Sequence, residues 1–161
     1  MRYSAVRCLP ITVQESFCYD EEGVAIWPAQ VIDYTGKTQF LFRISKGVLD
    51  INDEGVNDYF PPEDIRIPFT NMIYIGDSET DIPCMKLVNS YGGSSIGVYD
   101  PDRQNKERVQ KMINENRIRY YAPADYREGT ELDTIVKAAI DKTAATETLE
   151  ALHYECSSEA K

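Results

Sequence analysis

The chain has 161 residues, 42% of them hydrophobic, and 27 acidic against 17 basic side chains give it a formal net charge of −10. That length suits one domain with a real core, since a chain of about 150 residues removes roughly two-thirds of its unfolded surface from water. The acidic balance argues against nucleic acid or an anionic membrane as partner, because phosphate backbones attract basic surfaces. It leaves room for a small phosphorylated substrate held by one local cation.

No apolar run reaches the roughly 20 residues that span a bilayer. Residues 1–14 lack the apolar centre of a signal peptide, so a cytoplasmic protein is expected. The four cysteines, Cys8, Cys18, Cys84 and Cys156, form no Cys-x-x-Cys pair. Their scatter fits free thiols in a reducing compartment and not a zinc knuckle. His153 is the single histidine and lies near the C-terminus, which sets aside mechanisms built on a histidine base.

In chain order, residues 16–19 and 24–27 flank the turn signal Asp20-Glu21-Glu22-Gly23. They read as a hairpin that Pro28 ends. Residues 36–45 read as a helix with Phe40, Leu41 and Ile44 on one face and Gly47 placed to stop it. Residues 48–68 are acidic and carry Gly55, Pro61, Pro62 and Pro68, the composition of a loop or insertion with room for one short helix. Met72-Ile73-Tyr74-Ile75 is a short apolar run that ends abruptly at Gly76-Asp77, as a buried parallel strand does. Ser78-Glu79-Thr80-Asp81 has capping-box spacing, and Pro83 suits a first helical turn, predicting a helix to about Val88. A second strand follows over 95–99, after Gly92-Gly93. A polar helix over 103–115 turns Val109, Met112 and Ile113 inward, and a third strand covers 118–122. Thr130 and Asp133 form another capping box. Leu132, Ile135, Val136, Ala139 and Ile140 then mark an amphipathic helix. Residues 143–161 are helix-prone but weakly apolar and are expected to form a helical or frayed tail on a core of 1–142.

Strands alternating with helices imply an α/β fold, a Rossmann-like parallel sheet with helices on both faces. Ligands in such sheets bind beyond the carboxyl ends of the strands, and Asp77 stands at such an end. Asp77 and Asp81 place two carboxylates across a strand-to-helix junction. Hard oxygen ligands of this kind suit Mg²⁺, which keeps several waters and takes only one or two protein carboxylates. For Asp81 a second role is equally open, as a cap that favours the helix dipole.

The stretch Met72-Ile73-Tyr74-Ile75-Gly76-Asp77-Ser78-Glu79-Thr80-Asp81-Ile82-Pro83-Cys84-Met85 resembles the fourth motif of the haloacid dehalogenase superfamily. The following Gly92-Gly93 and the strand Ile96-Gly97-Val98-Tyr99 resemble that family's next strand. The resemblance runs over about residues 16–140 and is nearest to the phosphoserine-phosphatase-like branch. It implies a Mg²⁺-dependent phosphomonoester hydrolase in which Asp77 ligates the metal and Asp81 supports it through water. It also implies a lysine before this motif, near the start of a helix, that neutralises the nucleophile and the transferring phosphoryl group. Lys37, in Gly36-Lys37-Thr38, matches that place. Lys46, in the last turn of the same helix, is the competitor, and a lysine there also suits the helix dipole.

The family's nucleophile motif, an apolar strand followed by Asp-x-Asp-x-Thr or Val, does not occur in the sequence. Val31-Ile32-Asp33-Tyr34-Thr35 imitates it but has Thr35 where the acid/base belongs, so Asp33 reads as a decoy. The chain therefore resembles the C-terminal portion of a longer enzyme, a core incomplete at its N-terminal side. The alternative is a catalytically inactive remnant that serves as a binding or interaction module. An incomplete sheet exposes an apolar edge beside residues 72–75, and a homo-oligomer or a partner chain is expected to cover it.

Other motifs fail on spacing. A response-regulator receiver carries its lysine after its aspartates, whereas Lys37 precedes Asp77. Asp50-Ile51-Asn52-Asp53-Glu54-Gly55 begins like an EF-hand, but Pro61 stands where the bidentate glutamate belongs. Gly36-Lys37-Thr38 lacks the first glycine of a P-loop, whose place Val31 takes.

Overall fold

The computed structural model describes residues 16–30, 32, 36–103 and 106–159. Asp33, Thr35 and residues 1–14, on which the missing nucleophile motif was weighed, lie outside them. The chain opens on an antiparallel hairpin, β1 (Ser16–Tyr19) and β2 (Ala25–Gln30). The Asp20 carboxylate accepts from the Glu22 and Val24 amides at 3.1 and 2.8 Å, and Gly23 takes φ +80°, which closes the turn. Pro28 does not end the hairpin: β2 continues through it to Gln30. A two-stranded ribbon is all edge, so a residue without an N–H is tolerated there, next to an irregularity in β1 between Ser16 and Phe17.

Helix α1 (Gly36–Lys46) stops at Gly47, whose φ of +76° lets the chain turn back and the Val48 amide bond the Arg43 carbonyl at 3.0 Å. Phe40 and Leu41 are buried on its inner face and Ile44 is half-buried. The acidic stretch 48–68 folds around two cations of α1. Arg43 is buried and donates to the carbonyls of Asp50, Ile51 and Asp53. Lys46 Nζ donates to the carbonyls of Val56 and Asp58 at 2.8 and 2.6 Å. The stretch is a loop, as its composition indicated, and holds two short 3-10 turns, Glu54–Asn57 and Pro62–Asp64.

The centre is a three-stranded parallel sheet in the order β3 (Ile73–Gly76), β4 (Ser94–Tyr99), β5 (Tyr120–Pro123). Register pairs Ile75 with Ile96 and Val98 with Ala122. Parallel strands need crossovers, and these are α2 (Ile82–Ser90) and α3 (Lys106–Asn114). Both lie on one face, where Met85, Tyr99, Val109, Met112 and Ile118 form one cluster. Leu41, Phe69, Met72, Cys84 and Val88 extend that layer toward α1. On the opposite face Ile96, Val98 and Ala122 meet Leu132 of α4 (Glu131–Glu159). All six residues of β4 are buried, as expected of a strand covered on both faces and both edges. Among the described residues β3 has no neighbour on its outer edge, and Ile75 there is 37% exposed.

Helix α4 corrects one expectation. Of the two readings of residues 143–161, helical or frayed, the described residues follow the helical one, for the helix runs unbroken to Glu159. Ile140 does not face inward and is 54% exposed, although Leu132 and Ala139 are buried as the spacing predicts. A helix of 29 residues is roughly 43 Å long. The sheet beside it is only a few residues deep, so residues 144–159 run past it and all are exposed. No helix among the described residues is long and apolar enough to cross a membrane. Cys18 and Cys156 are exposed, Cys84 is buried, and all three are free.

Candidate functional site at the carboxyl end of the sheet

The site is built where β3 ends. Gly76 is required by close packing: a Cβ there would lie 2.7 Å from Met85 Cε and 2.8 Å from Asp81 Cβ. With that clearance the chain turns into a 3-10 turn, Glu79–Asp81, that feeds α2. The turn carries Asp81 back beneath the strand end, where it is only 6% exposed.

Asp81 is held by four donors. Its Oδ1 accepts from Lys37 Nζ at 2.8 Å and from the Tyr74 hydroxyl at 2.9 Å. Its Oδ2 accepts from the Ser78 amide at 3.1 Å and the Ser78 hydroxyl at 2.7 Å. A carboxylate offers about four lone-pair positions, and all are filled. Burial alone would push this carboxyl up, but the bonds from Lys37, Ser78 and Tyr74 outweigh it and hold it below its ordinary 3.8. The Asp81 bond in turn raises Lys37 above its ordinary 10.5, against the burial that would lower it. Burial, followed by the Asp81 bond, raises the Tyr74 hydroxyl so far that it stays a donor. Burial raises the Cys84 thiol, which packs with Leu41, Phe69, Met72 and Val88.

Asp77 is the opposite case. It is exposed, lines the same cleft, and has no hydrogen-bond or ion-pair partner among the described residues. A free carboxylate at a strand end fits one ligand position of a Mg²⁺ ion, which completes its octahedron with water and ligand phosphate. Asp81 does not fit as a ligand, because it has no lone pair left. What it contributes is the placement of Lys37. Among the described residues no three Cys, His, Asp or Glu side chains gather to hold a metal by themselves.

Lys37 reaches the cleft from the first turn of α1. Its Nζ gives one hydrogen to Asp81 and a longer bond, 3.3 Å, to Thr80 Oγ1. An ammonium has three donors, so one remains for an anion in the cleft. Lys46 lies at the other end of α1, on the acidic loop, and does not line the cleft. The structure thus brings Lys37, Asp77 and Asp81 together and leaves Lys46 out.

The cleft has a volume of about 750 Å³ and is floored by the ends of β3 and β4. Several of its residues were not singled out in the sequence: Tyr74 beneath it, and Asp100, Arg103 and Tyr126 around it. Asp100 was findable, since Tyr99-Asp100-Pro101 leaves β4 as Gly76-Asp77 leaves β3. Tyr74 carried a weaker signal, one hydroxyl in an otherwise aliphatic strand.

The chain is 33% identical over 104 residues to an uncharacterized protein of Borreliella burgdorferi (strain ATCC 35210 / DSM 4680 / CIP 102532 / B31), a match over 63% of this chain and 34% of that protein. The chain therefore spans about a third of the length of the relative it matches. No family model and no solved structure matches it.

Proposed function

We propose that the cleft beyond β3 is a phosphate site of the haloacid-dehalogenase type, and that this chain supplies its positioning and electrostatic share. In this reading the three-stranded sheet is part of a Rossmann-like core. The observation that carries it is the pairing of Lys37 with Asp81 at 2.8 Å across 44 residues of sequence, beside the unpartnered Asp77. The third Lys37 hydrogen binds a phosphoryl oxygen of a small phosphomonoester, and Asp81 fixes the lysine so that no reorganisation is needed when the ligand arrives. Asp77 would hold Mg²⁺, which when bound supplies charge neutralisation to the phosphoryl oxygens. The covalent step is assigned to no described residue, since the family's Asp-x-Asp-x-Thr or Val motif does not occur in the sequence: Asp100-Pro101-Asp102 after β4 has the two-residue spacing, but Gln104 stands where the Thr or Val belongs and Arg103 engages the Asp100 carboxylate.

That absence favours a second reading, a cleft that binds phosphate but does not turn it over. One pair of measurements separates the two. Turnover of p-nitrophenyl phosphate with Mg²⁺, lost in both Lys37→Met and Asp77→Asn, supports the hydrolase. Calorimetric binding of inorganic phosphate that needs Lys37, with no turnover at high protein concentration, supports the binding module. Phosphate binding indifferent to both substitutions would sink the two readings together.

A further inference from the structure

The cleft is far larger than a phosphate group. Its volume of about 750 Å³ lies within the roughly 300–1,000 Å³ typical of clefts that take a small organic ligand. Its two ends differ chemically. Lys37, Asp77 and Asp81 gather at the β3 end, whereas Tyr126 stands beyond β5, and Arg103 follows β4. Neighbouring strands are about 4.8 Å apart, so β3 and β5 are separated by roughly 10 Å.

Tyr126 has an unusual combination of exposure and support. Its side chain is 69% exposed and has neither a ring partner nor a hydrogen bond among the described residues. The loop that carries it is pinned on both sides. The Ala124 amide bonds the Tyr99 carbonyl at 2.8 Å, and Thr130 Oγ1 bonds the carbonyls of Asp125 and Arg127, each at 2.8 Å. Arg127 clamps Asp125 at 2.9 and 2.6 Å, and the Gly129 amide bonds Asp133 Oδ2 at 2.9 Å. A free ring on a braced loop suits stacking, because little loop freedom is lost when a ligand arrives and a tyrosine has only two side-chain torsions to order. Arg103, after the middle strand β4, has its Nε 3.2 Å from Asp100 Oδ2 and is 81% exposed, so an ion pair lies between the two ends.

From this cleft we infer that the ligand is a phosphomonoester carrying a planar aromatic or heteroaromatic ring, with its phosphate at Lys37 and its ring on Tyr126. This rests on the phosphate reading above and adds the substrate class to it. A short, ringless phosphomonoester would leave the Tyr126 end unused.

The test is calorimetric binding by the full chain in Mg²⁺, with 1-naphthyl phosphate and inorganic phosphate as probes. The wild type is expected to bind 1-naphthyl phosphate at least tenfold more tightly than inorganic phosphate. Tyr126→Ala should bring that ratio near one, and Tyr126→Phe should keep it, because the ring stacks and the hydroxyl does not. A wild-type ratio near one, or a ratio that survives Tyr126→Ala, overturns the ring site. Lys37→Met reports on the other end: unchanged inorganic phosphate affinity in that variant overturns the phosphate reading, while the Tyr126 ratio still judges the ring.

Discussion

At the amino end of α1, Lys37 Nζ lies 2.8 Å from Asp81 Oδ1, in the cleft. At the carboxyl end, nine positions on, Lys46 Nζ donates to the carbonyls of Val56 and Asp58, and its ammonium lies 5.1 Å from the centre of the Phe60 ring. Residue type and helix are the same, yet the partners differ in kind. Two Lys46 hydrogens go to main-chain carbonyls and its ammonium faces the Phe60 ring, so the lysine is a strut for the acidic loop. Lys37 also makes two bonds, but it meets a carboxylate already held by three other donors, and its third hydrogen is in the cleft. A cation becomes a candidate site residue when its surroundings fix it with a donor left at a cleft.

The comparison breaks most severely at Asp81. Asp81→Ala removes the acceptor of four bonds and strands Lys37, Tyr74 and Ser78, at a cost of about 3 kcal/mol or more, read as a lowered urea midpoint. The pH dependence sharpens the point. Asp81 is depressed below 3.8 when folded, so its contribution is present above that pH and lost as pH falls through the lower folded value. Lys37 is raised above 10.5, so its contribution is complete below that pH and lost as pH rises through the folded value. The stability gap between wild type and Asp81→Asn should therefore be flat between about pH 4 and pH 10 and close beyond both limits. A gap that widened in acid would mean that Asp81 is not ionised in the folded protein.

Gly76→Ala comes next. Its methyl group would press on Met85 and Asp81 together. A cost of about 1–3 kcal/mol should appear with weaker phosphate binding, because Asp81 moves and Lys37 follows it. Lys46→Met should cost about 1 kcal/mol by denaturation and leave phosphate binding unaltered. Equal loss of binding in Lys46→Met and Lys37→Met would erase the distinction between the two ends of α1. The smallest effect is expected at the far end of α4. Ending the chain after Thr143 removes no buried side chain among the described residues, so stability should change by less than about 0.5 kcal/mol. A larger drop would show that the exposed half of the helix braces the fold.

Local signals located most of the elements. The run Met72–Ile75 lies one residue off the observed β3, and Gly47 stops α1 where a left-handed residue was expected. The failures share a cause. Pro28 was read as a stop because its missing N–H disqualifies it from a sheet interior, but the ribbon it lies in has no interior. Ile140 fitted the 3.6-residue spacing, but periodicity does not reveal how far the sheet beneath a helix extends. Arg43 carried no local signal at all, and it is buried because three carbonyls of a later loop fold over it.

The candidate site divides along the same line. Asp77 was legible in the sequence, because a strand that ends at Gly-Asp puts that carboxylate at the sheet's rim whatever the remainder of the chain does. Asp81 was placed near it by the same short span. Which lysine joins them, whether Asp81 has lone pairs to spare, that Tyr74 locks it, and that Tyr126 stands free at the far end were decided by tertiary structure. Those contacts join residues up to 44 positions apart, and their geometry depends on how α1 and the loops after β4 and β5 settle on the sheet. No local pattern encodes that arrangement, because it is the packing of whole elements that sets it.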